Sequence, residues 1–118
     1  MKAKLPLSVS IPAYCRELGL PEPVAEYRPI PGRRYRIDFA WPRDMTEPQF
    51  AVHAIIGGVG LEIDGGMFTG GRHGGAPSAI RDLTKRNELT ARGWLIIHVP
   101  PSQLWRAQTW EWLRTLLT

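Results

Sequence analysis

The sequence has little cysteine and no long apolar run, and each shortage excludes a class of protein. Cys15 is the only cysteine in 118 residues, so the chain cannot form an internal disulfide, which is typical of a reducing cytosol. No apolar run approaches the roughly 20 residues needed to cross a bilayer. The first ten residues also lack the apolar core of a signal peptide. We therefore expect one cytoplasmic domain over residues 1–118, with no membrane partner.

Lysine is also scarce, although the protein is basic. The net charge is +4, and arginine supplies twelve of the fifteen positive side chains, leaving only Lys2, Lys4 and Lys85 as lysines. A basic surface suits a polyanionic partner such as nucleic acid, and arginine can hold a phosphate through two parallel hydrogen bonds. A genome rich in arginine codons would give the same bias. If a reaction in the core of the protein needs a lysine, Lys85 is the only candidate.

Apolar and polar residues alternate along the chain in a pattern that predicts an α/β fold, with a mixed central sheet flanked by helices. Glycine and proline mark the ends of the elements. The predicted elements are a helix over 8–20, a hairpin arm with Glu26 and Arg28, strands over 34–41 and 59–64, a helix over 78–92 capped by Ser78, a buried central strand over 94–99, and a last helix from Ser102. In the strand over 34–41, one face is predicted to carry Tyr35, Ile37, Phe39 and Trp41. In the helix over 78–92, the residues predicted to face inward are Ile80, Leu83, Thr84, Asn87 and Ala91.

Three acidic side chains lie on the polar faces of the two predicted middle strands: Asp38, Glu62 and Asp64. If these strands are neighbours, Asp38 and Glu62 converge, and carboxylates held close together require a cation. Carboxylate oxygens with open positions beside them suit Mg²⁺ or Mn²⁺, which keep water ligands and accept phosphate oxygens. A solvent-facing sheet surface, or ion pairs with Arg34 and Arg36, would explain the same residues.

Five short segments together resemble a known family of nucleases. They are RIDFAWP at 36–42, LEIDGG at 61–66, GRH at 71–73, RDLTKRN at 81–87 and GW at 93–94. Their order and spacing resemble small phage and bacterial nucleases of the PD-(D/E)XK superfamily. Within it the chain is most similar to archaeal-type Holliday junction resolvases and their phage relatives, over about residues 24–99. The resemblance implies a restriction-endonuclease-like core and a Mg²⁺-dependent endonuclease, with Mn²⁺ able to substitute, that hydrolyses phosphodiester bonds in branched DNA.

The resemblance also implies roles for individual residues. Asp38 matches the first acidic residue of the motif and Glu62 the second, and both would hold the metal. Asp64 stands where the family has its catalytic lysine; it is either a further metal ligand or the partner of an arginine. The superfamily sometimes takes this lysine from the following helix, where Lys85 lies, although a solvated lysine on a basic helix face is the alternative. Glu26 matches an extra upstream glutamate near the metal, or is a plain hairpin carboxylate.

Besides Asp64, the sequence departs from the family pattern in the spacing of its acidic residues. The separation of Asp38 and Glu62 is longer than usual, so residues 46–58 look like an insertion.

No base-reading element is evident, and we expect recognition of DNA by its shape and backbone. His73 lies in a glycine-rich loop, where it would bind phosphate, shuttle a proton or be simply exposed. The candidate DNA-binding residues are Arg33, Arg34, Arg36, Arg72, His73 and Arg81.

The expected partners are a four-way DNA junction and a second copy of the chain. Trp105, Trp110 and Trp112 in the last predicted helix cannot all face one core, so they indicate a dimer interface or else a wide core face. A two-fold homodimer would match the symmetric strands of a junction. If the protein is phage-encoded, it would act in the host cytoplasm.

Two other functions remain open at this stage. One is a nicking endonuclease acting on mismatched or plain duplex DNA. The other is a catalytically inactive nucleic-acid-binding module of the same fold. Asp64 in the position of the lysine favours the inactive module, whereas Asp38, Glu62 and Lys85 together favour an enzyme.

Overall fold

A computed structural model describes residues 5–43, 57–64 and 75–118. The elements are α1 (Leu7–Leu18), β1 (Val24–Tyr27), β2 (Ile37–Pro42), β3 (Gly58–Ile63), α2 (Gly75–Ala91), β4 (Trp94–Val99), a 3₁₀ helix (Pro101–Gln103) and α3 (Ala107–Leu117). This order confirms the predicted α/β fold. In the described part of the chain, no helix is long and apolar enough to span a membrane.

The four strands form one mixed sheet in the order β1-β2-β3-β4. The β1–β2 and β2–β3 pairs are antiparallel, whereas β3 and β4 are parallel and are joined through α2, because a parallel pair needs a crossover connection. The prediction of a central position for β4 is wrong, since β4 forms an edge of the described sheet and Leu95 is 41% exposed. Its sequence is apolar because residues of this strand pack in the cores on both sides of the sheet.

The larger core lies between one side of the sheet and helices α1 and α3. Trp41 is fully buried there, and its indole Nε1 donates a hydrogen bond of 2.7 Å to the carbonyl of Pro21. Cys15 is buried in the same core, and burial raises the pKa of its thiol to about 11. The buried members of this core are Ile11, Cys15, Leu20, Phe39, Trp41, Val59, Leu61, Val99, Leu104, Trp110, Leu113 and Leu117.

A smaller core lies on the other side of the sheet, beneath α2. Its buried members are Ile30, Ile37, Ala40, Leu89 and Trp94, and Tyr27, Tyr35 and Ile96 pack against it. The space over β3 is tight: a Cβ at Gly60 would lie 2.6 Å from the Ile96 Cδ1 atom.

The predicted single face for Tyr35, Ile37, Phe39 and Trp41 is only half right. Phe39 and Trp41 belong to the larger core, whereas Tyr35 and Ile37 belong to the smaller one. The alternation also breaks in the paired strand, since Ala25 packs in the larger core and Tyr27 in the smaller. Glu26 between them has a φ of 52°, a left-handed conformation that turns the chain and interrupts the period of two.

The predicted inward stripe of α2 is wrong. Its members face solvent, with Ile80 62% and Leu83 58% exposed, and Thr84, Asn87 and Ala91 exposed as well. The helix turns the side that carries Lys85, Glu88 and Leu89 toward the sheet, because Leu89 packs in the smaller core while Lys85 and Glu88 make ion pairs there. The helix also begins at Gly75, before the predicted cap Ser78. Gly93 ends it as predicted, with a φ of 83°.

The tryptophans near the C-terminus divide between core and surface, as their spacing predicted. Trp110 is 4% exposed, whereas Trp105 and Trp112 are 49% and 46% exposed. Trp105 stacks on Trp110, and its ring meets the ring of Tyr14 edge-on. The last helix begins at Ala107, five residues after the predicted cap, because a 3₁₀ helix and a turn come first.

Candidate active site

The antiparallel pairing of β2 and β3 brings Asp38 and Glu62 together. Phe39 pairs with Leu61 and Ala40 with Gly60, so the same register places Asp38 across from Glu62. The backbone N–H of Ile63 donates a hydrogen bond of 2.8 Å to Asp38 Oδ2. Glu62 is 6% exposed, and Asp38 is half-buried. The strands are therefore neighbours, as the predicted convergence of the two carboxylates required.

The environment of Glu62 raises the pKa of its carboxyl to about 7. Burial is the largest cause, because a charged group loses solvation there. The hydrogen bond and the charge of Lys85 lower the pKa, and the nearby Asp38 carboxylate raises it. A further cation beside Glu62 would therefore stabilise the ionised form of its carboxyl group.

Helix α2 supplies a cation in the form of Lys85. Its Nζ atom donates hydrogen bonds of 2.5 Å to Glu62 Oε1 and 2.6 Å to the carbonyl oxygen of Arg36. The Lys85 side chain is 24% exposed, compared with 9% for the Glu62 side chain. The resemblance implied a lysine from this helix, and the side chain of Lys85 does reach the acidic residue Glu62. A freely solvated lysine is excluded.

Asp64 takes the second of its two predicted alternatives, since it pairs with basic side chains. Its Oδ2 atom lies 2.7 Å from His98 Nδ1 and 3.6 Å from Arg86 Nη2. Its backbone N–H donates a hydrogen bond to the carbonyl of Val99. Over residues 5–43, 57–64 and 75–118, no group of three His, Cys, Asp or Glu side chains that could hold a metal ion is found. The service of Asp64 as a further metal ligand remains a prediction.

His98 is a residue whose contact the sequence analysis missed. It lies on β4 as the parallel partner of Glu62 and contacts Asp64 from there. The only signal for it in the sequence is that His98 is the one polar residue of an otherwise apolar strand. Pairing between positions 64 and 98 depends on how the two strands are brought together, which local pattern does not reveal.

Glu26 lies on β1, in the register position opposite Asp38. Ala25 pairs with Phe39 and Tyr27 with Ile37, on either side of it. The side chain of Glu26 is exposed, and its positive φ is uncommon for a residue other than glycine. The backbone of Glu26 is thus next to the site, but its exposed side chain resembles the plain hairpin carboxylate of the second alternative, and a role near the metal remains a prediction.

The predicted DNA-binding residues divide into two groups. Arg33, Arg34 and Arg36 are exposed on the connection between β1 and β2, and the backbone carbonyl of Arg36 accepts a hydrogen bond from Lys85. Arg33 also pairs with Glu88 at 2.9 Å. Arg81 is exposed on α2 and donates a hydrogen bond to Ser78 Oγ. Arg72 and His73, like residues 46–56 of the predicted insertion, lie outside the described residues.

Asp38 and Glu62 fit a small hard cation. In proteins Mg²⁺ is commonly held by one or two carboxylates, with water and substrate phosphate completing its coordination. Two neighbouring carboxylates, one with a pKa raised to about 7, form such a donor set. The convergence of three acidic side chains is not needed for it. The same oxygen donors suit Mn²⁺.

Comparison with known proteins yields no relative: no family model, curated protein or solved structure matches the chain.

Proposed function

We propose that the protein is a metal-dependent DNA endonuclease with a restriction-endonuclease-like core, which hydrolyses phosphodiester bonds in branched DNA. One observation supports this most directly. The nearly buried carboxylate of Glu62 lies beside Asp38 and accepts a hydrogen bond from Lys85 Nζ. Two acidic residues and a lysine in contact are the set that the resemblance to PD-(D/E)XK nucleases requires.

Each residue of this set has a distinct task in the proposed reaction. Asp38 and Glu62 would hold a Mg²⁺ ion, which would supply Lewis-acid chemistry and lower the pKa of a bound water for phosphodiester hydrolysis. Lys85 steadies the negative charge that develops on the phosphate in the transition state. Burial of Glu62 strengthens these interactions, because charges attract more strongly where water is excluded.

The exposed arginines would hold the DNA. Arg33, Arg34 and Arg36 are exposed on the connection between β1 and β2, where the carbonyl of Arg36 contacts Lys85, and Arg81 is exposed one turn before Lys85 on α2. Phosphate contacts of this kind position a duplex without reading its sequence. We therefore propose that the substrate is selected by shape, as a four-way junction. A homodimer with two such sites would cut symmetric strands.

The decisive experiment compares cleavage of a four-way junction and of plain duplex DNA, each with Mg²⁺ and with a chelator. Junction cleavage that requires Mg²⁺ is expected. Asp38→Asn and Glu62→Gln should each abolish cleavage while DNA binding persists, because the carboxylates hold the metal and the arginines hold the phosphates. Glu111→Gln, on the exposed side of α3, is the matched control and should cut normally. Near-wild-type cutting by either site variant would refute the assignment.

The same experiment separates the two other candidate functions. A nicking endonuclease for mismatched or plain duplex DNA would cut duplex at least as fast as the junction. An inactive binding module would bind DNA and cut neither substrate at any Mg²⁺ concentration. The observation that favours the inactive module is that Asp64 stands in the family's lysine position and pairs with His98 and Arg86.

A further inference from the structure

Lys85 contacts two oxygen atoms that are also suitable ligands for a hard cation. One is Glu62 Oε1, at 2.5 Å, and the other is the backbone carbonyl oxygen of Arg36, at 2.6 Å. Carboxylate and carbonyl oxygens are the donors that Mg²⁺ and Ca²⁺ take in proteins. The ammonium group therefore occupies the kind of position that a metal ion would take.

The surroundings make this contact strong. Only 9% of the Glu62 side chain and 24% of the Lys85 side chain are exposed, so the pair is poorly screened by water. Asp64, which directly follows β3, belongs to a separate cluster, because its Oδ2 atom contacts His98 of β4 and Arg86 of α2. Among the described residues, Lys85 is the only positive side chain that the structure pairs with Glu62.

We infer that Lys85 is an internal cation that competes with a divalent ion for Glu62, so that binding of the ion detaches Lys85 from the carboxylate. The inference rests on the proposed function only in taking a divalent ion to be the cofactor. The released ammonium is then available to a phosphate bound next to the ion. Lys85 would thus keep Glu62 paired when no ion is bound, and the site would become active only after the ion has arrived.

The magnitude of the competition follows from the contact that the ion displaces. In the wild-type protein the ion must break the hydrogen bond between Lys85 Nζ and Glu62 Oε1, and loss of a hydrogen bond between charged groups lowers the affinity by roughly tenfold or more. Removing the charge of Lys85 should therefore tighten binding of the ion while it weakens cleavage.

The test is calorimetric titration of the full chain with Mg²⁺ and, separately, Ca²⁺, without DNA. The titrations are run at pH 8.5 and again at pH 9, above the wild-type Glu62 pKa of about 7, because removing Lys85 also removes an interaction that lowers this pKa. Lys85→Met should bind both ions at least about tenfold more tightly than wild type. Lys85→Arg keeps the charge and should not gain this affinity. Arg86→Gln is the matched control, because it removes a positive charge from the adjacent position of α2 without touching Glu62, and it should change the affinity much less.

A second measurement uses the wild-type protein, in case Lys85→Met does not fold. The chain has only three lysines, so ¹³Cε-labelled lysine gives a spectrum that can be assigned with Lys85→Arg. Titration with Mg²⁺ should shift the signal of Lys85 and leave those of Lys2 and Lys4 unchanged. If wild type binds the ion with no shift of Lys85, or Lys85→Met binds no more tightly, the competition is refuted and the proposed nuclease stands. If neither protein binds a divalent ion, the proposed function fails as well.

Discussion

Replacing Glu62 with glutamine should remove a pH-dependent loss of stability that the wild-type protein suffers when no divalent ion is present. The fold raises the pKa of Glu62 from 4.5 to about 7, mainly by burial. Because the folded value is the higher one, the folded state binds the proton more tightly than the unfolded state does. The resulting stabilisation is complete below pH 4.5 and is lost as the pH rises to about 7. The difference between the two pKa values corresponds to about 3 kcal/mol of unfolding free energy.

Urea unfolding in the presence of a chelator, from pH 4.5 to pH 8, would measure this effect. Fluorescence of the buried Trp41 and Trp110 reports the transition. Since other groups also titrate, the quantity to compare is the difference between wild type and Glu62→Gln at each pH. We expect this difference to shift by about 3 kcal/mol in favour of the glutamine variant between the two ends of the range. Glu111→Gln, at an exposed position of α3, is the control and should keep the wild-type pH profile.

The reasoning would be refuted by parallel stability profiles for wild type and Glu62→Gln. Such a result would mean that ionising the buried Glu62 carboxyl group does not lower the free energy of unfolding. Saturating Mg²⁺ at pH 8 should restore stability to wild type and leave Glu62→Gln nearly unchanged, because an ion that binds only the folded state stabilises it.

Three further outcomes are expected. Lys85→Ala should lower single-turnover cleavage by about a hundredfold, equivalent to about 2.7 kcal/mol of barrier, with a smaller loss of DNA affinity, whereas Arg81→Ala should mainly weaken binding. Full-speed cleavage by Lys85→Ala would leave Arg72 or His73 as the next candidate for the cation. DNA binding should weaken steeply with salt, with a log–log slope of about 0.9 for each phosphate neutralised, and a flat response would show that the arginines serve another purpose. We expect a homodimer with Trp105 or Trp112 near its interface, and light scattering should give the mass of a dimer. A monomer at every micromolar concentration would contradict this and favour the nicking endonuclease over the resolvase.

The sequence was sufficient to predict the order of the elements and two of the central contacts of the site. Asp38 and Glu62 could be singled out as acidic residues within otherwise apolar strands, although the alternation predicted for the Asp38 strand holds only from Phe39 onward, and the antiparallel pairing of the two strands sets them opposite each other. Lys85 could be chosen because no other lysine lies between residues 5 and 118. These predictions succeeded because each depends on a local period or on the scarcity of one residue type.

The sequence misled where packing overrides the local pattern. The apolar stripe of Ile80 and Leu83 predicted the buried side of α2, yet the helix buries Leu89 in the smaller core and turns Lys85 to Glu62. The apolar run of β4 predicted a central strand, because an edge strand packed on both faces has the same composition as a central one.

What the sequence alone determined is therefore the α/β order and the candidate residues Asp38, Glu62 and Lys85. Only the tertiary structure decided their partners. The contact of Asp64 with His98 and that of Lys85 with the carbonyl of Arg36 join residues 34 and 49 positions apart. Contacts over such separations depend on the register of the strands and on the side that α2 turns to the sheet. Both are set by packing of the whole chain, which no local period of the sequence encodes.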